Sequence, residues 1–321
     1  MQRRSFIRLW GTIPLAMVVP WVAGCASTAQ WRVGIHPWIG YESLKLAQDF
    51  KWLPPGADLL ETQDMAESSR ALQTGHFDAA CMTLDEVLRL RGLGVPLTVA
   101  LVFDVSAGGD MLLVRPSIRT LADLAGKRIG VEPGALGALV LGSVLRAAGL
   151  ERSAVTVVEC ATEAQLASWR QLDVDALVSY EPTATLLQRE GAHRLFDSRQ
   201  MPDTIVDVLA VHAERLMGRS DTVRAVVASH FRGLAHLQGN RQDAVYRIGA
   251  RRAMAPQEVQ LSLAGVIFPT LEANRQYLAT QGRLHSASRA VSTLMVQAGL
   301  LQQADSLEDI GNATWLPRDD D

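Results

Sequence analysis

Carboxylate and aromatic side chains recur in the short segments that follow the apolar runs of this 321-residue sequence. Trp38 and Tyr41 stand in a turn between a strand-like run and a helical pattern, where neither element needs a large ring for its own packing. Aromatic faces in such a turn offer a large contact area and lose little conformational entropy on binding. The pattern predicts a site for a flat or cationic molecule, and packing of Trp38 under its own loop is the alternative.

Further polar candidates follow the other apolar runs. Thr83 either hydrogen-bonds a ligand or caps the next helix. Glu132 and Glu181 either contact a ligand or only complement the dipoles of the helices that they open, and Asp110 is either a ligand contact or a salt-bridge partner in a hinge. The complete set predicted to bind a ligand is Trp38, Tyr41, Thr83, Ser106, Asp110, Glu132, Gly134, Tyr180, Glu181 and Asp207.

The charges in these segments favour one class of ligand. Lysine and arginine are absent from residues 36–42, 82–86, 103–110, 132–138, 179–184 and 201–207, whereas every one of these segments holds at least one acid. Carboxylates around an anion are unfavourable in a partly dry cleft. The segments therefore favour an amine, an amidine-like group or an aminopyrimidine, although backbone N–H groups at helix N-termini offer nitrate or a sulfonate an alternative way to bind.

Motifs for metal and cofactor chemistry are missing from the sequence. The seven histidines show no spacing typical of metal ligands, and neither a P-loop nor a dinucleotide-binding glycine run occurs. We therefore predict no cofactor, no metal and no catalytic residue.

The first 24 residues have the pattern of an export signal. Arg3, Arg4 and Arg8 precede an apolar run that is too short and too interrupted by proline to span a membrane stably. The run ends in small residues before Cys25, which is typical of a bacterial lipobox and predicts lipidation of Cys25, with residues 25–31 as anchor and tether. The start "RRSFIR" also resembles a twin-arginine export signal.

The charge of the exported chain limits its partners. Removal of residues 1–24, which contain three arginines and no acid, changes the net charge from −3 to −6. An acidic chain is a poor partner for nucleic acid. Attraction to anionic lipid is also disfavoured, so we expect the acyl chains alone to hold the protein to its membrane.

Strand-like and helical patterns alternate from Arg32 to about residue 215, and only helical patterns follow. This order predicts an α/β fold with parallel or mixed sheets covered by helices, followed by a helical C-terminal region. Cys81 and Cys160 end apolar runs far apart in the sequence, and we expect them to be unpaired.

Several segments together resemble ABC-transporter solute-binding proteins of the nitrate, sulfonate, taurine and thiamine-precursor group. The most specific pieces are "TLADLAGKRIGVEPG" and "VDALVSYEP". The segments that carry the resemblance follow one another in the same order as in that group of proteins. They are residues 32–47, 72–94, 104–115, 118–150, 172–198 and 205–216.

The resemblance implies a two-lobed type II periplasmic-binding-protein fold. Lobe one would comprise residues 32–115 and 206–321, lobe two residues 116–205, and the chain would cross between them near residues 113–115 and 207–211. It also implies a monomer on the periplasmic side of the cell envelope, lipid-anchored, that passes a small molecule to an ABC permease. A ligand sensor for a signalling receptor and a small-molecule lyase on the same fold are the alternatives.

Overall fold

The computed structural model of the protein describes residues 30–318. The predicted signal segment and Cys25 lie outside the described residues. Within them the strands are β1 Trp31–Ile35, β2 Ala57–Glu61, β3 Ala79–Thr83, β4 Leu97–Ser106, β5 Asp110–Val114, β6 Arg128–Val131, β7 Thr156–Glu159, β8 Ala176–Tyr180, β9 His193–Asp197, β10 Val206–His212 and β11 Val266–Ile267.

Helices alternate with these strands and then dominate the C-terminal third. They are α1 Glu42–Asp49, α2 Met65–Gln73, α3 Leu84–Gly92, α4 Ala135–Ala148, α5 Thr162–Arg170, α6 Thr183–Arg189, α7 Ser220–Gly239, α8 Arg241–Arg252, α9 Pro256–Leu263, α10 Leu271–Leu278 and α11 Arg283–Gln297. The predicted helical C-terminal region is confirmed, with one exception. The two-residue strand β11 interrupts it and pairs with β4.

The strands form two sheets, and each sheet is the centre of one lobe. The first has the order β11-β4-β10-β3-β1-β2 and the second β7-β6-β8-β5-β9. In the first sheet β1 runs parallel to β2 and β3, whereas β10 runs antiparallel to β3 and β4. All ten residues of β4 are buried, because helices cover both faces of such a sheet. Asp104 lies inside β4 and is therefore a buried acid.

The chain crosses between the lobes earlier than the sequence predicts. Strand β5 pairs with β8 and β9, so it belongs to the second sheet, and the first crossing lies at residues 107–109 rather than near residues 113–115. The return crossing lies at residues 198–205, because residues 207–211 are already inside β10 of the first sheet. This correction places both hinge segments directly beside the polar candidates Ser106 and Asp110.

The C-terminal helices pack on lobe one and complete its core. Helix α7 crosses α1 so closely that a Cβ at Gly233 would lie 1.9 Å from the carbonyl oxygen of Ser43. The C-terminal segment returns beside β4, where the Val99 amide donates to the carbonyl of Ile310 at 2.9 Å. Lobe one is thus built from both ends of the described chain. Within residues 30–318 we find no helix with the length and apolar character needed to cross a bilayer.

Candidate functional site

A small cavity lies between the two lobes, at the ends of the strands that the sequence singles out. It has a volume of about 10 Å³, room for roughly one water molecule. Five of the ten predicted ligand-binding residues line it, together with three that were not predicted. The lining residues are His36, Trp38, Met65, Thr83, Asp110, Leu136, Tyr180 and Asp207.

Trp38 joins the lobes instead of lying open at the mouth of the cleft. Its indole Nε1 donates to Asp104 Oδ2 at 3.0 Å, and its ring packs edge-on against Tyr180 of lobe two with centroids 5.9 Å apart. Only 3% of Trp38 is exposed. A Cβ at Gly109 would lie 2.7 Å from the indole, so a glycine in the crossing segment is what lets the ring reach this position.

Tyr41 lies behind the cavity and holds one of its acids. The ring is fully buried, packing against Phe103 and His36. Its hydroxyl donates to Asp207, which itself lines the cavity. Burial raises the pKa of Asp207 well above its usual value, and the neighbouring carboxyl of Asp104 raises it further. Tyr41 is therefore placed to position Asp207 rather than to touch a ligand.

Buried carboxyl groups lie around the cavity in both lobes, Asp85 and Asp104 in lobe one and Asp110 at the start of β5 in lobe two. Burial raises the pKa of Asp110 to about 7, and the charge of Glu181 adds to this, while a hydrogen bond involving Ser106 opposes it. Burial also raises the pKa of Asp85 to about 7 and that of Asp104 well above its usual value. Asp104 Oδ1 and Asp110 Oδ2 are buried and have no hydrogen-bond partner among the described residues.

Glu132 of lobe two is a further buried acid with an unpartnered oxygen. Burial raises the pKa of Glu132 to about 8, with Asp64 contributing, whereas hydrogen bonds from Tyr180 and Thr162 lower it. Glu132 Oε1 has no partner among the described residues. Gly134 adopts φ 141° and caps the N-terminus of α4, whose Leu136 reaches the cavity.

Ser106 and Glu181 lie at the junction of the lobes and do not line the cavity. The hydroxyls of Ser106, at the end of β4, and Ser198, at the start of the return crossing, lie 2.8 Å apart. Glu181 Oε2 accepts hydrogen bonds from the Thr185 hydroxyl of lobe two at 2.8 Å and from the Ser262 hydroxyl of lobe one at 3.0 Å. In this structure Glu181 thus joins the two lobes. Its Oε2 was expected to accept a hydrogen bond from a ligand, but it accepts from the Thr185 and Ser262 hydroxyls instead.

His36 is the most informative residue that the prediction omitted. It is buried, and burial lowers its pKa to about 3, with the charge of Arg252 lowering it further. Its Nδ1 has no partner among the described residues. The position was open to prediction, since His36 shares a loop with Trp38. Met65 and Leu136 gave no such signal, because an apolar side chain that faces a cleft looks in the sequence like one that faces a core.

None of the residues that line the cavity is lysine or arginine. Arg252, the cation that acts on His36, is bonded to buried Glu42 at 2.8 Å. Cys81 and Cys160 are both buried and free. The described residues include no cluster of His, Cys, Asp or Glu arranged to hold a metal ion. The carboxyl and hydroxyl oxygens of the cavity can therefore accept hydrogen bonds from a ligand. The charged groups that line it are acids, so they attract a cation and not an anion.

Two lobes joined by two crossing segments, with a polar cavity between them, define a periplasmic-binding-protein architecture. A family model described as NMT1/THI5 like matches residues 57–244, more than half of the chain. The chain belongs to the NMT1/THI5-like family, which confirms the predicted solute-binding-protein group.

Individual relatives share this architecture at low sequence identity. The taurine-binding periplasmic protein of Escherichia coli (strain K12) is 22% identical over 247 residues, 70% of this chain and 77% of that protein. The alkanesulfonate-binding protein SsuA from Xanthomonas axonopodis pv. citri, bound to MOPS, has a TM-score of 0.73 at 20% identity and covers 88% of this chain and 98% of its own. The desulfurization enzyme DSZB has a TM-score of 0.63 at 17% identity, with coverage of 89% and 97%. The predicted two-lobed fold is confirmed.

Proposed function

We propose that this protein is the extracytoplasmic solute-binding component of an ABC importer. In this proposal the two lobes close on a small organic molecule that carries an amine, an amidine-like group or an aminopyrimidine, and the closed protein delivers it to a permease. The observation that carries the proposal is the set of unpartnered carboxyl oxygens of Asp104, Asp110 and Glu132 in and near a small cavity whose lining includes no lysine or arginine.

The energetics of unpaired groups support a hydrogen-bond-donating ligand. A buried acceptor without a partner costs about 1–3 kcal/mol, and a ligand N–H that reaches it recovers this cost. A cationic group next to Trp38 or Tyr180 would gain about 0.5–2 kcal/mol more from the ring faces. An anion in the same position would instead repel any carboxylate that is ionised.

An aminosulfonate zwitterion is the second candidate. The taurine-binding relative favours it, and so does the N-terminus of α4, a 14-residue helix that begins directly after Gly134 beside the cleft. Backbone N–H groups there suit a sulfonate, while the ammonium group would face Asp110. An aminosulfonate therefore also brings a positively charged group to the buried acids of the cavity.

The binding role is favoured over an enzymatic one, although DSZB shares the fold. Thr83 is the hydroxyl-bearing aliphatic residue of the cavity lining, and its Oγ1 donates to Met65 Sδ at 3.3 Å. A nucleophile needs a base within hydrogen-bond reach. A sensory role without transport uses the same site and differs only in the partner protein.

We further propose that the protein lies on the periplasmic side and is anchored through lipidated Cys25. Cells grown with a radiolabelled fatty acid should label the wild type, because the small residues before Cys25 form a lipobox. The Cys25→Ser variant should take up no label, and labelling of this variant would refute the anchor.

A thermal-shift screen tests the ligand class. Amines, aminopyrimidines, taurine, sulfonates without an amine, and nitrate are compared at equal concentration. A ligand at a hundredfold excess over its Kd stabilises the folded state by about 2.7 kcal/mol. We expect stabilisation by compounds with a positive or N–H-rich group. Stabilisation by nitrate or by an amine-free sulfonate alone would overturn the proposed ligand class.

A further inference from the structure

A stack of rings and guanidinium groups lies on lobe one, away from the cleft. The rings of Phe50 and Trp52 stack with centroids 4.6 Å apart and an interplanar angle of 18°. The Arg247 guanidinium lies 4.4 Å from the Phe50 ring centroid, and the Arg232 guanidinium lies 4.1 Å from that of Trp52. We call Phe50, Lys51, Trp52, Arg232 and Arg247 the Trp52 face.

The Trp52 face lies at the end of the first sheet opposite the cleft. Helix α1 begins near the cleft end of β1 and runs back to the start of β2, and the Trp52 face follows the end of this helix. The described chain begins at the same end. The amide of Trp31 donates to the carbonyl of Gly56 at 2.8 Å, so β1 starts beside the loop that carries Trp52.

The proposed anchor would hold this end of lobe one close to a membrane. Five residues follow Cys25 before β1 begins at Trp31. The six Cα–Cα steps from Cys25 to Trp31 span at most about 22 Å. A lipidated Cys25 would therefore keep the start of β1, and with it the Trp52 face, within about that distance of the bilayer surface.

The local charge of the Trp52 face is opposite to that of the whole chain. Lys51 and Arg232 are exposed, and neither forms an ion pair among the described residues, since Arg232 packs on Trp52 instead. Arg247 is bonded to Asp243 at 2.8 Å. Tryptophan together with exposed cations suits the boundary of an anionic bilayer, where each cation near the surface strengthens binding about fivefold.

We propose that the Trp52 face docks on anionic lipid headgroups of the membrane that holds the anchor. The cations contact the headgroups, the ring edges lie at the interface, and the cleft points away from the lipid. This proposal rests on the proposed lipidation, and it revises the expectation from overall charge that the acyl chains alone hold the protein.

Amide hydrogen exchange of the full acylated protein in lipid nanodiscs tests the proposal. Nanodiscs of phosphatidylcholine are compared with nanodiscs that contain one quarter phosphatidylglycerol. We expect exchange in residues 50–58 to be at least fivefold slower with the anionic lipid, and 0.5 M salt should abolish the difference. The intact mass reports the acyl chains independently, so a missing anchor and a failure to dock give different results.

Matched charge variants identify the surface. Arg232→Gln and Lys51→Gln each remove one cation from the Trp52 face, whereas Arg146→Gln removes an exposed cation from α4 in lobe two. The first two should lose most of the protection, and the control should keep it. Equal exchange in both lipids, equal loss in all three variants, or an intact mass without acyl chains would each overturn the proposal.

Discussion

Asp110 is the residue whose charge state most directly links the cleft to its ligand. It lines the cavity, one of its oxygens lacks a partner, and its pKa lies at about 7. Near neutral pH the protonated and ionised forms of Asp110 are therefore both populated, because burial makes the ionised form less stable than it is in water. A cationic ligand favours the ionised form, whereas the ligand-free protein favours the protonated form.

The pH dependence of stability tests this reading of Asp110. The unfolded pKa of an aspartate is about 3.9, so between about pH 4 and pH 7 the folded state binds more protons than the unfolded state. The contribution of Asp110 to the free energy of unfolding then falls as the pH rises through this range. Asp110→Asn should lose less stability than the wild type between pH 5 and pH 8 in denaturant titrations. The exposed control Asp58→Asn should follow the wild type, and equal slopes for all three proteins would contradict the raised pKa.

Trp38 has a larger structural role than its sequence position indicates. Trp38→Ala should weaken ligand binding by roughly 1–3 kcal/mol through lost aromatic contact. It should also lower the free energy of unfolding by about 3–5 kcal/mol, because a buried ring is removed. Trp38→Phe keeps an aromatic ring but removes the indole N–H, so its effect measures the hydrogen bond to Asp104. An unchanged melting temperature for Trp38→Ala would show that the indole adds nothing to the joined lobes.

At the level of single residues, the sequence predicted the loops of the site better than the direction of each side chain. Trp38, Thr83, Asp110, Tyr180 and Asp207 do line one cavity. Neighbouring residues of the same loops point elsewhere, because alternate positions along a strand or turn face opposite sides. Sequence spacing alone could not show that Glu181 turns toward Ser262.

At the level of elements, the contact between α6 and α9 joins the lobes behind the cavity. Glu181 accepts from Ser262, and Arg189 of α6 forms an ion pair with Glu258 of α9. These bonds break when the lobes separate, so they should shift the balance between open and closed forms without choosing the ligand.

Ser262→Ala removes the Ser262 bond to Glu181 and leaves the cavity lining intact. We expect a severalfold loss of affinity that is the same for every ligand, because only the closed form is destabilised. Calorimetry with two ligands of different charge measures this. Ser286→Ala, at an exposed position of α11, should have no effect. A change in ligand preference caused by Ser262→Ala would place Glu181 in the binding site.

The crossing segments show where element-level prediction was limited. The apolar run of β5 reads as a strand in the sequence, but nothing in its pattern says which sheet it joins. Its partners β8 and β9 lie 60 or more residues away, and only tertiary pairing reveals them. The predicted crossing was therefore late by the length of one strand.

At the level of the whole molecule, the size of the cavity requires the lobes to move. A cavity of about 10 Å³ admits roughly one water molecule, so an organic ligand needs the lobes to separate and close again around it. Gly108, with φ 118°, and the return crossing at residues 198–205 are the segments that would bend.

Small-angle scattering measures this motion. A saturating ligand should decrease the radius of gyration relative to the ligand-free protein, because the closed form is more compact. Gly108→Ala strains the first crossing segment, because its positive φ disfavours a residue with a side chain. The crossing segments lie outside the cavity, so this variant should change the ligand-induced decrease in the radius of gyration and leave the preference for a cationic ligand unchanged. An identical scattering profile with and without bound ligand would contradict hinge closure.

The two-lobed fold as a whole was predictable because many weak signals agree over nearly 300 residues. The ligand was less predictable, since it depends on which carboxyl oxygens remain unpaired in the folded protein. Overall charge was also a poor guide to the surface, because the cations of the Trp52 face are dispersed in sequence and meet only through the packing of α1, α7 and α8.

Isothermal titration calorimetry tests the central claim most directly, namely that buried carboxyl groups select a positively charged or N–H-donating ligand. An amine from the screen and an amine-free sulfonate are titrated at pH 6, 7 and 8, in buffers of different ionisation enthalpy. We predict that the amine binds with net release of protons and that its affinity rises with pH, because binding ionises groups such as Asp110. Tighter binding of the sulfonate, with proton uptake and an affinity that falls as the pH rises, would contradict the account.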